Sequence, residues 1–215
     1  MLGPRMSNRS RTRARQGGVV LLISLIVLVA MTLAAIAMIR SVDTTNVIAG
    51  NLAFKQAAAQ AGDAGAEAAI SWLEANAGAP LWVNNYLNGY SALRQDPAAN
   101  QSWDQFWTTT IDPSPLTPPV SALTCSSVGR ACTLPTDAAG NTVTYTITRM
   151  CMTTGDPSAA GSGCAVSTSA ANINSSSQGA GEVVLNYASQ NYYRITTRTV
   201  GPRNTVTYLQ TMIAM

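Results

Sequence analysis

The hydrophobic pattern along the chain falls into three regimes. Val19 to Ile39 is a run of 21 residues with only two polar side chains, Ser24 and Thr32. At about 1.5 Å of rise per residue, that length spans hydrocarbon as a helix. After Arg40 no turn signal appears, and "SVDTTNVIAGNLAFKQAAAQAGDAGAEAAISWLEANAGAP" stays largely helix-compatible until Gly78 to Pro80. Within it Phe54, Ala58, Ala61, Gly65, Ala68 and Trp72 recur at alternating steps of four and three, which places them on one helical face. That face is mostly small, so it predicts close packing on a domain, with Trp72 and Leu73 as the bulky lower anchor. One helix from Val19 to about Glu74 is expected, roughly 80 Å long. Gly50, Gly62 and Gly65 each cost about 1 kcal/mol relative to Ala in a helix interior. They mark either bends or points of close approach.

Beyond Pro80 the helical period is lost. "LWVNNYLNGYSALRQDPAANQSWDQFWTTTIDPSPLTPP" holds Trp82, Trp103 and Trp107, three of the four tryptophans. Such aromatics either stack on sugar rings or fill a small core. Core is the preferred reading, with Trp103 and Trp107 on one face of a short helix. Asp112 to Pro119 reads as a linker or edge loop. Asn141 to Met152 alternates Val143, Tyr145 and Ile147 against threonines, as a half-buried strand does. Thr153 to Gly181, rich in Ser, Ala and Gly, is expected to be a long loop pinned at Cys164. Strands are predicted at Glu182 to Tyr187, Tyr192 to Val200 and Thr205 to Met212, the last two joined by a turn at Gly201 to Asn204. The expected fold class is α+β, a long N-terminal helix laid on a small antiparallel sheet of about four strands. The corresponding domain boundaries are a leader at 1–18, a membrane-embedded helix at 19–40, an amphipathic continuation at 41–80 and an extracytoplasmic head at 81–215.

Charge fixes the orientation of that arrangement. The net charge of +3 hides five arginines (Arg5, Arg9, Arg11, Arg13 and Arg15) ahead of the apolar run, where there is no acid; from Val19 onward 8 basic residues face 10 acidic ones. The leader is thereby predicted to stay cytoplasmic and the bulk of the chain to lie outside. The basic pI belongs to the leader and implies no nucleic-acid partner. All four cysteines, Cys125, Cys132, Cys151 and Cys164, lie in the C-terminal half, and the chain has no histidine. Their spacing fits no common zinc framework, and behind an export signal two disulfides are expected. Four cysteines allow three pairings. Cys125 with Cys132 and Cys151 with Cys164 is preferred because sequence-adjacent pairs close short loops.

Three stretches, "RQGGVVLLISLIVLVAMTLAAIAMIRS", "IAGNLAFKQAAAQAGDAGAEAAI" and "YYRITTRTVGPRNTVTYLQ", together resemble the type IV pilin superfamily, and in particular its PilX-type minor pilins. The first two are similar to the family's N-terminal region and the third to its closing hairpin. The stretch from Leu81 to Gly181 carries no resemblance. The resemblance implies that prepilin peptidase cuts after Gly18, with Gly17 able to substitute, and leaves a methylated Val19 at the new terminus. It implies a retained assembly helix whose Leu22, Ile23, Leu25, Ile26 and Leu28 pack beside other pilin helices. Ordinary pilins carry glutamate at the fifth mature position, where this chain has Ile23. A buried carboxylate there meets a neighbour's terminal amine. A subunit at the tip has no such neighbour ahead of it. The implied partners are other minor pilins, the major pilin, a PilY-type tip adhesin, the inner-membrane assembly platform and the peptidase. The implied location is the inner membrane before assembly and the pilus tip at the cell surface afterwards.

Candidate chemistry changes little. There is no histidine, G-x-S-x-G, phosphate-binding glycine loop or suggestive carboxylate pair. Asp137, Asn141 and Asp156 lack the ligand rhythm of a calcium loop, so neither a metal nor a cofactor is expected and the chain is not read as an enzyme. Three other readings stay open: a minor pseudopilin of a type II secretion system, a secreted carbohydrate-binding protein cut after Ala37, and an anchored enzyme.

Overall fold

The computed structural model describes residues 18–167 and 190–215. The chain divides into two units, Met1–Gly50 and Asn51–Met215, and one helix, α1, runs from Val19 to Ala75. The predicted strand at Glu182 to Tyr187 and the latter part of the predicted 153–181 loop lie outside the described residues.

In the first unit nothing interrupts the helix, because no proline occurs between Val19 and Gly50 and leucine, alanine and methionine are good helix formers. Its apolar side chains are exposed around the whole circumference. This is the chain's described helix long and apolar enough to cross a membrane.

In the second unit α1 continues through an alanine-rich stretch that buries Ala58, Gly62, Gly65, Ala66, Ala69 and Leu73. The predicted stripe is therefore rotated by part of a turn. Ala58 and Gly65 lie at the contact, while Phe54, Ala61, Ala68 and Trp72 flank it, half-buried. The reason is distance. A Cβ built on Gly65 would lie 2.6 Å from Val143 Cγ1 and 3.1 Å from Thr197 Cγ2, and one on Gly62 3.1 Å from Thr197 Oγ1. Only the face carrying both glycines can come that near the sheet, and the larger side chains are displaced to its margins. There Trp72 meets Tyr90 at 5.4 Å between ring centroids, and the Arg203 guanidinium lies 5.5 Å from the Phe54 ring. The helix stops where Asn76 Nδ2 donates to the Trp72 carbonyl at 2.7 Å, ahead of Gly78, whose φ of 92° suits glycine, and Pro80.

The sheet has six strands among the described residues: β1 Tyr90–Ser91, β2 Thr124–Cys125, β3 Cys132–Thr133, β4 Thr142–Arg149, β5 Tyr192–Gly201 and β6 Thr205–Ala214. Their order is β2-β3-β4-β5-β6, with β1 joined to β4. β1 is parallel to β4 and the other pairs are antiparallel. The two-residue strands β1 to β3 are too short to carry a readable period. β5 and β6 form the predicted hairpin, in register from Tyr192 opposite Ala214 to Gly201 opposite Thr205. Its turn places Arg203 and Asn204 at positive φ.

Tyr145 and Ile147 face α1 with Tyr193 and Ile195, in a core that includes Ala66, Ala69, Leu73, Leu81 and Tyr90, and Val143, on the same face of the strand, lies against Gly65. The alternating threonines of β4 are buried as well, so the strand is covered on both faces rather than half-buried. Their hydroxyls find partners at the edge of the layer: Thr144 with Thr133 at 3.0 Å, Thr142 with Thr136 at 2.8 Å, and Thr146 with the Gly89 carbonyl at 3.3 Å. A second cluster, Phe106, Trp107, Ile111 and Ala131, packs with Trp103 and Tyr208. It grows from a short helix, α2 (Trp103–Phe106), whose Ser102 and Gln105 form a reciprocal capping box. The helix then widens into a π turn at Trp107–Ile111, which turns both Trp107 and Ile111 inward.

The disulfides join Cys125 to Cys132 and Cys151 to Cys164. The first ties the β2–β3 pair at directly opposed residues. The second closes a loop that Arg149, itself fully buried, holds through bonds to the Ala92, Thr153 and Gly155 carbonyls at 3.0–3.2 Å.

Two outcomes follow for stability. Gly65→Ala destabilises the head by about 1–3 kcal/mol, because stiff β-branched Val143 cannot move aside, whereas Gly50→Ala, with open space around it, leaves head unfolding in urea unchanged. Replacing Cys151 and Cys164 together by serine costs about 3 kcal/mol on the loop-entropy scale, read by the same titration.

Candidate functional site

The site that sequence reasoning proposed is the apolar segment of α1. Gly18 lies just before the helix, its carbonyl accepting from Leu22 N at 3.3 Å; its φ of 86° suits a residue without a side chain. Gly17 lies outside the described residues. Val19 is the first helical residue, and Leu22, Ile23, Leu25, Ile26 and Leu28 are each more than half exposed. The two polar side chains do not spoil this surface for a nonpolar medium. Ser24 Oγ donates to the Leu21 carbonyl at 2.9 Å and Thr32 Oγ1 to the Val29 carbonyl at 2.8 Å, so each hydroxyl proton is satisfied within the helix. Ser24 and Thr32 lie on a shallow, otherwise apolar face of the helix with Val20, Ile23, Val27, Leu28, Met31 and Ala35. Arg40 and Asp43 are the first charges after Gly18 and mark the end of the apolar run.

In the head, polar chemistry gathers on the sheet face opposite α1. Arg194 Nη1 donates to Asp96 Oδ1 at 2.7 Å, Arg94 also pairs with Asp96, and the Arg194 guanidinium lies 5.4 Å from the Trp103 ring. Burial would raise the Asp96 carboxyl, but hydrogen bonds from Arg194 and Arg94 outweigh it and hold the group below its ordinary value. Tyr208 donates its hydroxyl to Asp104 Oδ1 at 2.9 Å and accepts from Arg198 Nε at 3.1 Å. Burial and the Asp104 bond push its phenol up to about 12. These pairs fasten the 94–104 segment to β5 and β6. Trp107 is buried and Trp103 half-buried, while Trp82 is exposed, so the three tryptophans form no common platform.

A cavity of about 210 Å³ is lined by Asp112, Ser114, Thr124, Ser126, Ser127 and Thr133, with Cys125 of the first disulfide in its wall. Asp112 is 4% exposed. Burial raises its carboxyl above the ordinary value, against a smaller opposing attraction from Arg198. The other acids flagged in the sequence serve turns: Asp137 accepts from Asn141 N and Nδ2, both at 2.8 Å, and Asp156 accepts from Ser158 N and Oγ. Among the described residues no group of three His, Cys, Asp or Glu side chains is placed to hold a metal.

Sequence reasoning missed Arg149, Arg194, Asp96 and Asp112. For Arg149 a signal existed, because it continues the inward series Val143, Tyr145, Ile147. For the others the partners lie 98 residues away, as for Arg194 and Asp96, or in irregular loop.

Comparison of the chain with protein-family models, with curated proteins and with solved structures found no match. The fold and the apolar helix together define an α+β protein with an N-terminal helix compatible with a membrane anchor.

The buried acid makes a signed prediction. A carboxyl whose folded pKa is raised adds stability when protonated and loses it as pH rises through that value. Asp112→Asn therefore raises the Tm at pH 7, and the advantage shrinks as the pH falls through the raised folded value and is lost below about 4, where Asp112 is protonated in both states. A difference that stayed constant with pH would contradict it.

Proposed function

We propose that the chain is a PilX-type minor pilin, which helps to prime assembly of a type IV pilus and sits at or near its tip, supporting adhesion and twitching motility. The observation that carries the reading is the division of labour along α1. Its N-terminal part is apolar and exposed on all sides, while Ala58 to Leu73 bury a small-residue face on an antiparallel sheet that ends in a long hairpin. A segment exposed on every face suits transfer from lipid to a bundle of like helices, because one apolar surrounding replaces another. Ile23, where a main filament subunit carries glutamate, favours a terminal position. Gly17 and Gly18 ahead of Val19 supply the small residues for cytoplasmic-side cleavage, and the two disulfides suit a head folded in an oxidising compartment. On this reading the chain's partners are the other minor pilins, the major pilin, a PilY-type tip adhesin, the assembly platform and the prepilin peptidase, and it catalyses nothing itself.

Mass spectrometry of the protein from its native host tests the proposal. The expected mature terminus is Val19, methylated, and changing Gly17 and Gly18 together to bulky residues abolishes cleavage. A terminus at Met38 would mean that the apolar run is a discarded signal peptide, and an intact Met1 a plain anchor; either result overturns the proposal.

A further inference from the structure

The cavity of about 210 Å³ beside the first disulfide has two walls and a buried end. One wall is the chain leaving the π turn, Asp112 to Leu116, and the other is β2 with the turn after it, Thr124 to Val128. Asp112 and Thr133 are buried, while Ser114, Leu116, Thr124, Ser127 and Val128 are exposed at the rim. Backbone bonds hold the walls apart and in place. Arg130 N donates to the Ile111 carbonyl at 2.6 Å, Ser126 N to the Ala131 carbonyl at 2.9 Å, and Val120 N to Thr136 Oγ1 at 2.8 Å. Where the walls meet, Gly129 admits no side chain, since a Cβ there would lie 2.7 Å from the Ile111 carbonyl oxygen. The cavity is therefore formed before anything enters it, and all its lining residues belong to the head unit.

Its chemistry is one-sided. Burial and the charge of Arg198 act on the Asp112 carboxyl, but no donor among the described residues bonds to it. Unlike the sealed Trp107 Nε1, the carboxyl oxygens keep access to the cavity that Asp112 lines. Buried polar groups are ordinarily bonded, so this one has capacity to spare. Around it stand the hydroxyls of Ser114, Thr124, Ser126, Ser127 and Thr133. Ser126 Oγ accepts from Gly129 N at 2.9 Å and keeps its proton free. Thr124 Oγ1 donates to the Ala122 carbonyl at 3.1 Å and keeps its lone pairs free. No lysine or arginine lines the cavity, and Asp112 is its one acid.

We propose that this cavity binds a neutral polyol, a single monosaccharide unit, two of whose neighbouring hydroxyls donate to the Asp112 carboxylate. An ionised carboxyl only accepts, so the ligand must bring the donors, and a vicinal diol brings two on adjacent atoms. Serine and threonine hydroxyls serve in either sense, which suits the remaining hydroxyls and the ring oxygen. Leu116 and Val128 offer apolar contact to the C–H faces of the ring. At about 30 Å³ per water the cavity replaces roughly seven waters, which is room for one sugar ring and not for a chain of them. An anion would meet Asp112 with no cation beside it. A divalent metal ion would find a single carboxylate where such ions collect several charged or carbonyl oxygens. The inference rests on the cavity alone and stands independently of the pilin proposal.

The test is an NMR titration of the full chain at pH 7, in a phosphocholine detergent so that no sugar headgroup competes. The probes are the methyl glycosides of glucose, galactose, mannose and N-acetylglucosamine, with cis-1,2-cyclohexanediol and cyclohexanol as a minimal pair. At least one glycoside is expected to shift the amides of Ser114, Thr124, Ser127 and Thr133 saturably, with a Kd on the order of 1 mM. The diol shifts them and cyclohexanol does not. Asp112→Asn, which the head tolerates because burial disfavours the charge it removes, weakens binding at least about tenfold, since a donor replaces one acceptor. Ser127→Trp, at an exposed rim position, blocks entry and abolishes the shifts while leaving head unfolding in urea unchanged. The proposal is overturned if no glycoside shifts these amides at about 100 mM, if cyclohexanol matches the diol, or if Asp112→Asn binds as well as the native chain. Calcium chloride alone at about 10 mM, giving the same saturable shifts and losing them in Asp112→Asn, would make this a cation site and overturn it as well.

Discussion

The head depends on one close approach, that of α1 to β4 and β5 at Gly62 and Gly65. Side chains on this face of the helix are reduced to hydrogen so that the backbone can lie against Val143 and Thr197. Everything larger is arranged around that line: Leu73 and Ala69 fill the core beyond it, and Trp72 and Phe54 cover its flanks. Glycine in a helix interior is unfavourable by about 1 kcal/mol. Dispersion between closely packed surfaces offsets that cost, since many short contacts are gained at once. A helix held in this manner is fixed in both rotation and height on the sheet.

The same helix serves two environments, which explains its uneven composition. From Val19 to Ile39 it has an apolar surface whose two hydroxyls bond within the helix, which suits a medium without water. After Asn51 its exposed side is polar, with Lys55, Gln60, Asp63, Glu67 and Glu74, and its buried side is small. No single amphipathic stripe runs through all 57 residues, because the two parts answer to different solvents.

On the other side of the sheet the packing is polar and long-range. Arg194 and Asp96, and Tyr208 with Asp104 and Arg198, clamp irregular chain across β5 and β6. Paired charged and polar groups suit this task because each needs only a partner and not a shaped cavity. Asp112 is the exception, a carboxyl buried among hydroxyls with its proton affinity raised. The sheet's asymmetry belongs to the same pattern, since among the described residues one edge strand is short and cross-linked and the other is long and without a further strand beside it.

The long helix, its two regimes, the β4 strand and the β5–β6 hairpin were legible in the sequence, because each repeats a local rule often enough to be read: uninterrupted apolarity, alanine-rich helical spacing, and alternation about a turn. The preferred disulfide pairing was legible for the same reason, as short loops close at least cost. Which helical face meets the sheet was decided by tertiary structure, because hydrophobic periodicity ranks residues by apolarity whereas the contact selects for the absence of a side chain at Gly62 and Gly65. The burial of the β4 threonines and the Arg194–Asp96 pair likewise depend on which distant segment covers which surface. Local sequence determines what a segment can form, and only the folded chain decides what stands opposite it.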